Sequence, residues 1–219
     1  MPDNRNAAVL ISGGLDSAIL LDRCLQKFRS VQPIYIESGY MWERTEIASL
    51  NRFLKTIPSR RLKPLFRLHS PVSELLKGHW SVTGKQIPGA KSPDEAVYLP
   101  GKNILLVSYG SVFCALNDIG NLALGPLKTN PFPDATRGFF NAMGRVCSKG
   151  LGRPVKLYTP FLACGKTDVM NMGRHLALEL TFSCLNPKRN LHCGTCNKCA
   201  ERKKAFRNAR FIDKTRYAR

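Results

Sequence analysis

Six consecutive residues, Ser12-Gly13-Gly14-Leu15-Asp16-Ser17, put hydroxyls, glycines and a carboxylate directly after the apolar run Ala7-Ala8-Val9-Leu10-Ile11. A turn from strand into helix leaves backbone N–H groups unpaired at the positive end of the helix dipole, and glycines let an anion approach them closely. The pattern predicts a phosphate site. Ser12 and Ser17 add hydroxyl donors, while Asp16 can orient them or contact a Mg2+ ion that offsets bound phosphate charge. Towards the other end, Cys184 precedes Cys193-Gly194-Thr195-Cys196-Asn197-Lys198-Cys199, so that three thiols follow one another at i, i+3 spacing. Four thiolates can close a tetrahedron around Zn2+ and leave no open position for water, which makes such an ion structural. A redox pair would account for Cys193 and Cys196 but leave Cys184 and Cys199 unexplained. His192 reads as a bystander, and His69, His79 and His175 have no spacing that suggests catalysis. Cys24, Cys114, Cys147 and Cys164 lie among apolar neighbours and read as packing residues.

Two other phosphate motifs fail on the letters. A Walker A loop needs Gly-x-x-x-x-Gly-Lys-Ser/Thr, yet Pro160 stands five residues before Gly165-Lys166-Thr167. The dinucleotide fingerprint Gly-x-Gly-x-x-Gly is not supplied by Gly13-Gly14-Leu15-Asp16, which argues against NAD or FAD.

The elements that must position these groups follow from apolar spacing. The run 7–11 suits a strand buried on both faces of a parallel sheet. Ile19, Leu20, Leu21, Cys24, Leu25 and Phe28 recur at helical spacing after it. Further strands are predicted at 33–36, 64–68, 121–125 and 155–158, and helices at 43–54, 104–116, 136–147 and 167–176, the second of these largely buried. Repeated β-α-β order implies a parallel α/β sheet with right-handed crossovers. Residues 69–99, punctuated by Gly78, Gly84, Pro88, Gly89 and Pro93, read as a loop or small excursion. A sheet domain of residues 1–180 is expected, followed by a four-cysteine segment and basic tail at 181–219.

Composition narrows partners less than motifs do. The chain has 219 residues, 43% hydrophobic and 22% charged, which is globular rather than disordered. No apolar run approaches the length of a membrane span, and Met1 to Asn6 is polar rather than a secretory start, so a cytoplasmic protein is expected. Lys and Arg number 34 against 15 Asp and Glu, a net charge of +19 that favours anionic partners. The excess is densest from Lys198 to Arg219. A solvated basic helix and tail accounts for that run as well as a polyanion site does.

Ser12-Gly13-Gly14-Leu15-Asp16-Ser17 resembles the signature of the PP-loop ATP pyrophosphatases, which adenylate a carbonyl oxygen, release pyrophosphate and let a nucleophile displace AMP. Further segments resemble the 7-cyano-7-deazaguanine synthase (QueC) group within that superfamily. Pro100-Gly101-Lys102-Asn103 is similar to its Pro-Gly-Arg-Asn, Leu124-Gly125 to its strand end, and Phe132-Pro133-Asp134 to its Tyr-Pro-Asp. Gly165-Lys166-Thr167-Asp168-Val169 resembles its helix start, and Thr181-Phe182-Ser183-Cys184 with Cys193, Cys196 and Cys199 resembles its zinc segment. Two segments depart from the group. Ala135-Thr136 stands where it typically has Cys-Arg, and Glu37-Ser38-Gly39-Tyr40-Met41-Trp42 lacks its Tyr-Gly-Gln.

The resemblance implies a Rossmann-like PP-loop fold with a small C-terminal zinc-binding appendage. It also implies activation of 7-carboxy-7-deazaguanine or an analogue by ATP, amide formation with ammonia, and dehydration of the amide to a nitrile in a second activation. The implied cofactors are ATP, Mg2+ and Zn2+, and the implied assembly is a homodimer. Nucleotide contacts fall to Ser12, Gly13, Gly14, Leu15, Asp16, Ser17, Gly101, Asn103 and Gly125, with Lys102 and Lys166 as the cations that offset departing pyrophosphate. Asp134, Thr136 and Tyr40 are the candidate acceptor residues, Asp134 serving either as acceptor for a guanine-like edge or as a helix cap before Thr136. Two alternatives stand beside this reading. One is the same ATP chemistry on a tRNA base or small carboxylate, and the other is a zinc-ribbon nucleic-acid-binding module, against which the intact phosphate loop argues.

Overall fold

The apolar stretch Ala7-Ala8-Val9-Leu10 has no polar face, and the strand that contains it, β1 (Asp3–Leu10), takes the central position of the sheet, where both faces are covered. The computed structural model describes residues 3–218; Met1 and Pro2 of the polar start and Arg219 of the basic tail lie outside the described residues. Among the described residues the strands are β1, β2 (Ser30–Glu37), β3 (Phe66–His69), β4 (Ile119–Ala123) and β5 (Lys156–Tyr158), in the order β3-β2-β1-β4-β5. Every pairing is parallel, with Val9 opposite Pro33 on one side and Ala123 on the other.

Helices cover both faces. On one lie α1 (Leu15–Lys27), α2 (Glu43–Leu54), α6 (Lys166–Met172) and α7 (Asn197–Asn208), packed through Leu20, Leu21, Phe53, Met170 and Phe206. On the other, α4 (Lys102–Leu116) and α5 (Arg137–Gly150) bury Val107, Cys114 and Phe140 against Leu122 of β4. The chain leaves β1 towards β2 on one side and returns to β4 on the other, which opens a crevice beyond the carboxyl ends of these two strands. Open α/β sheets bind ligands in such a crevice.

Two stretches differ from the sequence reading. Residues 69–99 contain α3 (Trp80–Thr83) and a 3-10 turn at Asp94–Val97, elements too short to show a period. Val72, Val97 and Leu99 from this stretch pack with Tyr40, Trp42, Phe182 and the four cysteines, forming one wall of the crevice. Helix α4 is not largely buried: Ile104, Tyr109, Val112 and Leu116 are exposed along one side, because continuous apolar residues hide which face the sheet covers. The segment after residue 180, expected as a four-cysteine appendage, packs against the sheet domain. Phe182 donates its N–H to the Gly13 carbonyl at 2.8 Å, and Ala205, Phe206 and Ala209 belong to the core shared with β1 and α1.

Candidate active site

The phosphate loop is folded by its own side chains. Ser12 N–H donates to Ser17 Oγ at 3.2 Å, Ser17 Oγ donates to the Gly14 carbonyl at 3.1 Å, and the two hydroxyls lie 3.2 Å apart. Gly13 sits at φ +80°, where a side chain would be strained and would also come within 3.3 Å of Glu46 Cγ. Leu15 and Asp16 begin α1, so the loop stands at that helix's positive end.

Lys166, the first residue of α6, donates to Asp16 Oδ2 at 2.7 Å and lies 2.9 Å from Glu201 Oε1. Burial lowers its proton affinity, but the two carboxylates outweigh that and hold it above the usual lysine range. Glu201 in turn lies 2.6 Å from Lys198 through its other oxygen. Burial raises the Glu201 carboxyl, and the two lysines override it to hold the group at about 2. Asp16 Oδ1 is buried without a hydrogen-bond partner among the described residues. A buried carboxylate oxygen left this way fits a hard cation such as Mg2+, whose preferred ligands are oxygens.

The cleft that contains this loop has a volume of about 360 Å³, and Ser12, Gly14, Leu15, Asp16, Ser17, Asn103, Gly125 and Lys166 line it. Lys102, Asp134 and Tyr40 line it too. Lys102 opens α4 with its ammonium 5.7 Å from the Tyr40 ring centroid, and burial, opposed by Glu46, lowers its proton affinity. Gly13 and Gly101 are not lining residues; they shape the turns behind it, Gly101 at φ +72° before α4. Asp134 is buried and does cap a helix, but that helix is α4: its Oδ2 accepts the Asn103 N–H at 3.0 Å, while Asn103 Nδ2 donates to the Asp134 carbonyl at 3.0 Å. Thr136 is exposed outside the cleft lining, and its Oγ1 caps α5 by accepting the Phe139 N–H at 3.1 Å. A threonine preceding a helix satisfies that helix's first free N–H groups locally, and here this keeps Thr136 away from the cleft.

Several lining residues escaped the sequence reading. Trp42 and Trp80 extend a stack from the candidate acceptor residue Tyr40, with centroid spacings of 5.0 and 5.8 Å. Glu43 accepts the N–H groups of Ser38 and Gly39 at 2.7 and 2.9 Å, fixing the loop after β2. Glu46 accepts the Tyr35 hydroxyl at 2.5 Å, and burial pushes its carboxyl up to about 8, so it is largely protonated at neutral pH. Glu43 and Glu46, like Lys198 and Glu201, stand at i, i+3 spacing in a first helical turn, a signal readable in the sequence but common on solvated helices.

At the base of the cleft the Sγ atoms of Cys184, Cys193, Cys196 and Cys199 all lie within 4.8 Å of one another. Backbone N–H groups of Leu185, Asn186, Cys193 and Cys196 point at their sulfurs at 3.2–3.4 Å, the arrangement that supports thiolates around a soft cation. The donor set fits a metal ion such as Zn2+, which these four residues would hold. His192 is outside the set: its Nε2 accepts the Ser183 N–H at 3.2 Å, and burial holds its ring neutral. Cys24 and Cys114 are buried in the core, where desolvation pushes both thiols up to about 12.

A parallel α/β sheet of order 3-2-1-4-5, with a serine–glycine phosphate loop after its first strand and a carboxylate-bridged lysine over it, defines the PP-loop class of nucleotide-binding proteins. Within that class the chain belongs to the QueC family, whose model, described as queuosine biosynthesis protein QueC, matches residues 6–210. It is 30% identical to the 7-cyano-7-deazaguanine synthase of Sulfurihydrogenibium sp. strain YO3AOP1, covering 98% of this chain and 100% of that protein. Against the enzyme of the same name from Methanococcus aeolicus the identity is 28%, covering 96% and 98%. Among solved structures, the U34-tRNA thiolase NcsA from Methanococcus maripaludis, described with its 4Fe–4S cluster, superposes with a TM-score of 0.50 at 14% identity, covering 94% of this chain and 68% of that one. That likeness is one of fold.

Proposed function

We propose that this protein is an ATP-dependent C–N ligase that converts the carboxylate of 7-carboxy-7-deazaguanine, or a close analogue, into an amide and then a nitrile. The observation that carries the reading is a single cleft lined by a phosphate loop and lysines and by an aromatic and carboxylate wall, in a QueC-family chain. The acceptor carboxylate attacks the α-phosphorus of ATP, and the bond to the β-phosphate breaks to release pyrophosphate. Ammonia then displaces AMP from the acyl-adenylate, giving the amide. In the second round the amide oxygen is adenylated and leaves with AMP as the nitrile forms.

The 12–17 loop offers N–H and hydroxyl donors to the phosphates, and Lys166 offsets charge on the departing pyrophosphate. Asp16 would hold Mg2+ through its unpartnered oxygen, the ion supplying further offsetting charge. Lys102, between the two ends, is suited to the reacting carboxylate, and Asp134 with the Tyr40 stack to the purine-like ring. Zn2+ in the four-cysteine site is structural. The exposed side of α4 supports a homodimer, and no helix among the described residues is long and apolar enough to cross a membrane, in keeping with a cytoplasmic enzyme.

The same chemistry on a tRNA base is the second reading, favoured by the net charge of +19. Among the described lining residues, however, the one cysteine is Cys184, a member of the metal set, so a thiolation route has no free thiol there. The deciding experiment incubates the protein with ATP, Mg2+, 7-carboxy-7-deazaguanine and ammonium, following pyrophosphate and identifying products by mass. The nitrile is expected. A folded, ATP-binding protein that releases no pyrophosphate with this acceptor overturns the assignment and leaves the second reading.

A further inference from the structure

We infer that Glu201 is a positioning residue for the phosphates of ATP, pairing Lys166 with Lys198 at the phosphate end of the cleft, and that Lys198 contacts those phosphates directly. The inference rests on the ATP-dependent reading above. Lys198 lies between Cys196 and Cys199, and the first turn of α7 is held in place from outside as well. Asn197 donates its N–H to the Pro88 carbonyl and its Nδ2 to the Ser92 carbonyl, each at 2.9 Å. Glu201 stands one turn further on and accepts from the two lysines through separate oxygens, at 2.9 Å to Lys166 and 2.6 Å to Lys198.

A surface pair at i, i+3 spacing contributes little, but this carboxylate joins two ammonium groups from different elements, and those ammoniums repel each other. Further negative charge relieves that repulsion. The nearest site for it is the 12–17 loop, because Lys166 is already bonded to Asp16 and all four residues line the same cleft. The four-cysteine segment thereby delivers part of the nucleotide site.

Titration calorimetry of the full chain with Mg-ATP and, in parallel, adenosine separates phosphate contacts from the rest of the nucleotide. Lys198→Ala is expected to weaken ATP binding about tenfold, as loss of one charge-assisted contact does, with adenosine binding and melting temperature unchanged. Lys198→Arg should bind ATP nearly as the wild type does. Glu201→Gln removes a negative charge from the phosphate end, so ATP should bind no more weakly than to wild type, while the rate of pyrophosphate release falls about tenfold or more because the lysines are no longer held in place. Lys198→Ala with wild-type ATP affinity, or Glu201→Gln with wild-type turnover, overturns the inference. So does a Glu201→Gln variant that loses metal and melts lower, which would make the residue structural. A wild-type chain that binds no ATP overturns the functional reading itself.

Discussion

The two ends of the cleft are built on different physical terms. At the phosphate end, charged groups from distant parts of the chain are linked in series, Asp16 to Lys166 to Glu201 to Lys198, and the last two come from the four-cysteine segment. At the acceptor end, ring and backbone contacts dominate: the Tyr40, Trp42 and Trp80 rings stack, and Asp134 is engaged by the backbone of α4. A site that must stabilise phosphate charge needs its cations fixed beforehand, since reorienting them during the reaction would cost part of the stabilisation. A site that selects a flat ring needs shape more than charge.

The largest effect is expected where the phosphate end is anchored. Four-thiolate zinc sites hold their ion with apparent free energies of about 10 kcal/mol or more, so Cys196→Ser should lose the metal and melt lower by about 5 °C or more, read by metal analysis and thermal denaturation. A metal-free variant that melts with the wild type would break the link between the four-cysteine segment and the cleft. Next comes Asp16→Ala, which should cut pyrophosphate release by about 10²–10³-fold while leaving the melting temperature within a few degrees. Wild-type turnover would remove the 12–17 loop from the chemistry.

A smaller effect is read through pH at the carboxyl packed behind the 12–17 loop. The Glu46 carboxyl, raised by burial from 4.5 to about 8, faces Tyr35, Lys102 and Glu43. Between those values the folded state binds more protons than the unfolded, so this group's contribution to stability is full below 4.5, declines as pH rises through the window and levels off above about 8. Glu46→Gln should flatten that decline in denaturation measured across the window; an unchanged slope would mean that Glu46 is already ionised when folded. The smallest effect belongs to Thr136→Ala, which should cost about 1 kcal/mol of capping with no change in acceptor KM. A raised KM would bring Thr136 back to the acceptor end.

How much of this was legible depended on how locally each feature is made. The 12–17 loop and the Cys193-Gly194-Thr195-Cys196-Asn197-Lys198-Cys199 run are contiguous, so type and spacing sufficed to place a turn at a helix start and a cluster of thiols. Helix 43–54 was readable because its apolar residues keep the helical period, whereas Trp80–Thr83 is too short to show one. Thr136 lies outside the cleft lining for a different reason. Residues close in sequence do not share a direction, and here Thr136 caps α5 while Asp134 lines the cleft and reaches back to α4.

The sequence alone determined that a parallel α/β chain would present a phosphate loop at a helix start and gather four thiols within a short segment, because both depend on neighbours along the backbone. Only the tertiary structure decided that Glu201 would reach Lys166, that Glu46 would pack beneath Gly13, and that residues 69–99 would wall the cleft. Those contacts join residues far apart in the chain, and their energies come from burial and charge pairing that arise when the elements pack.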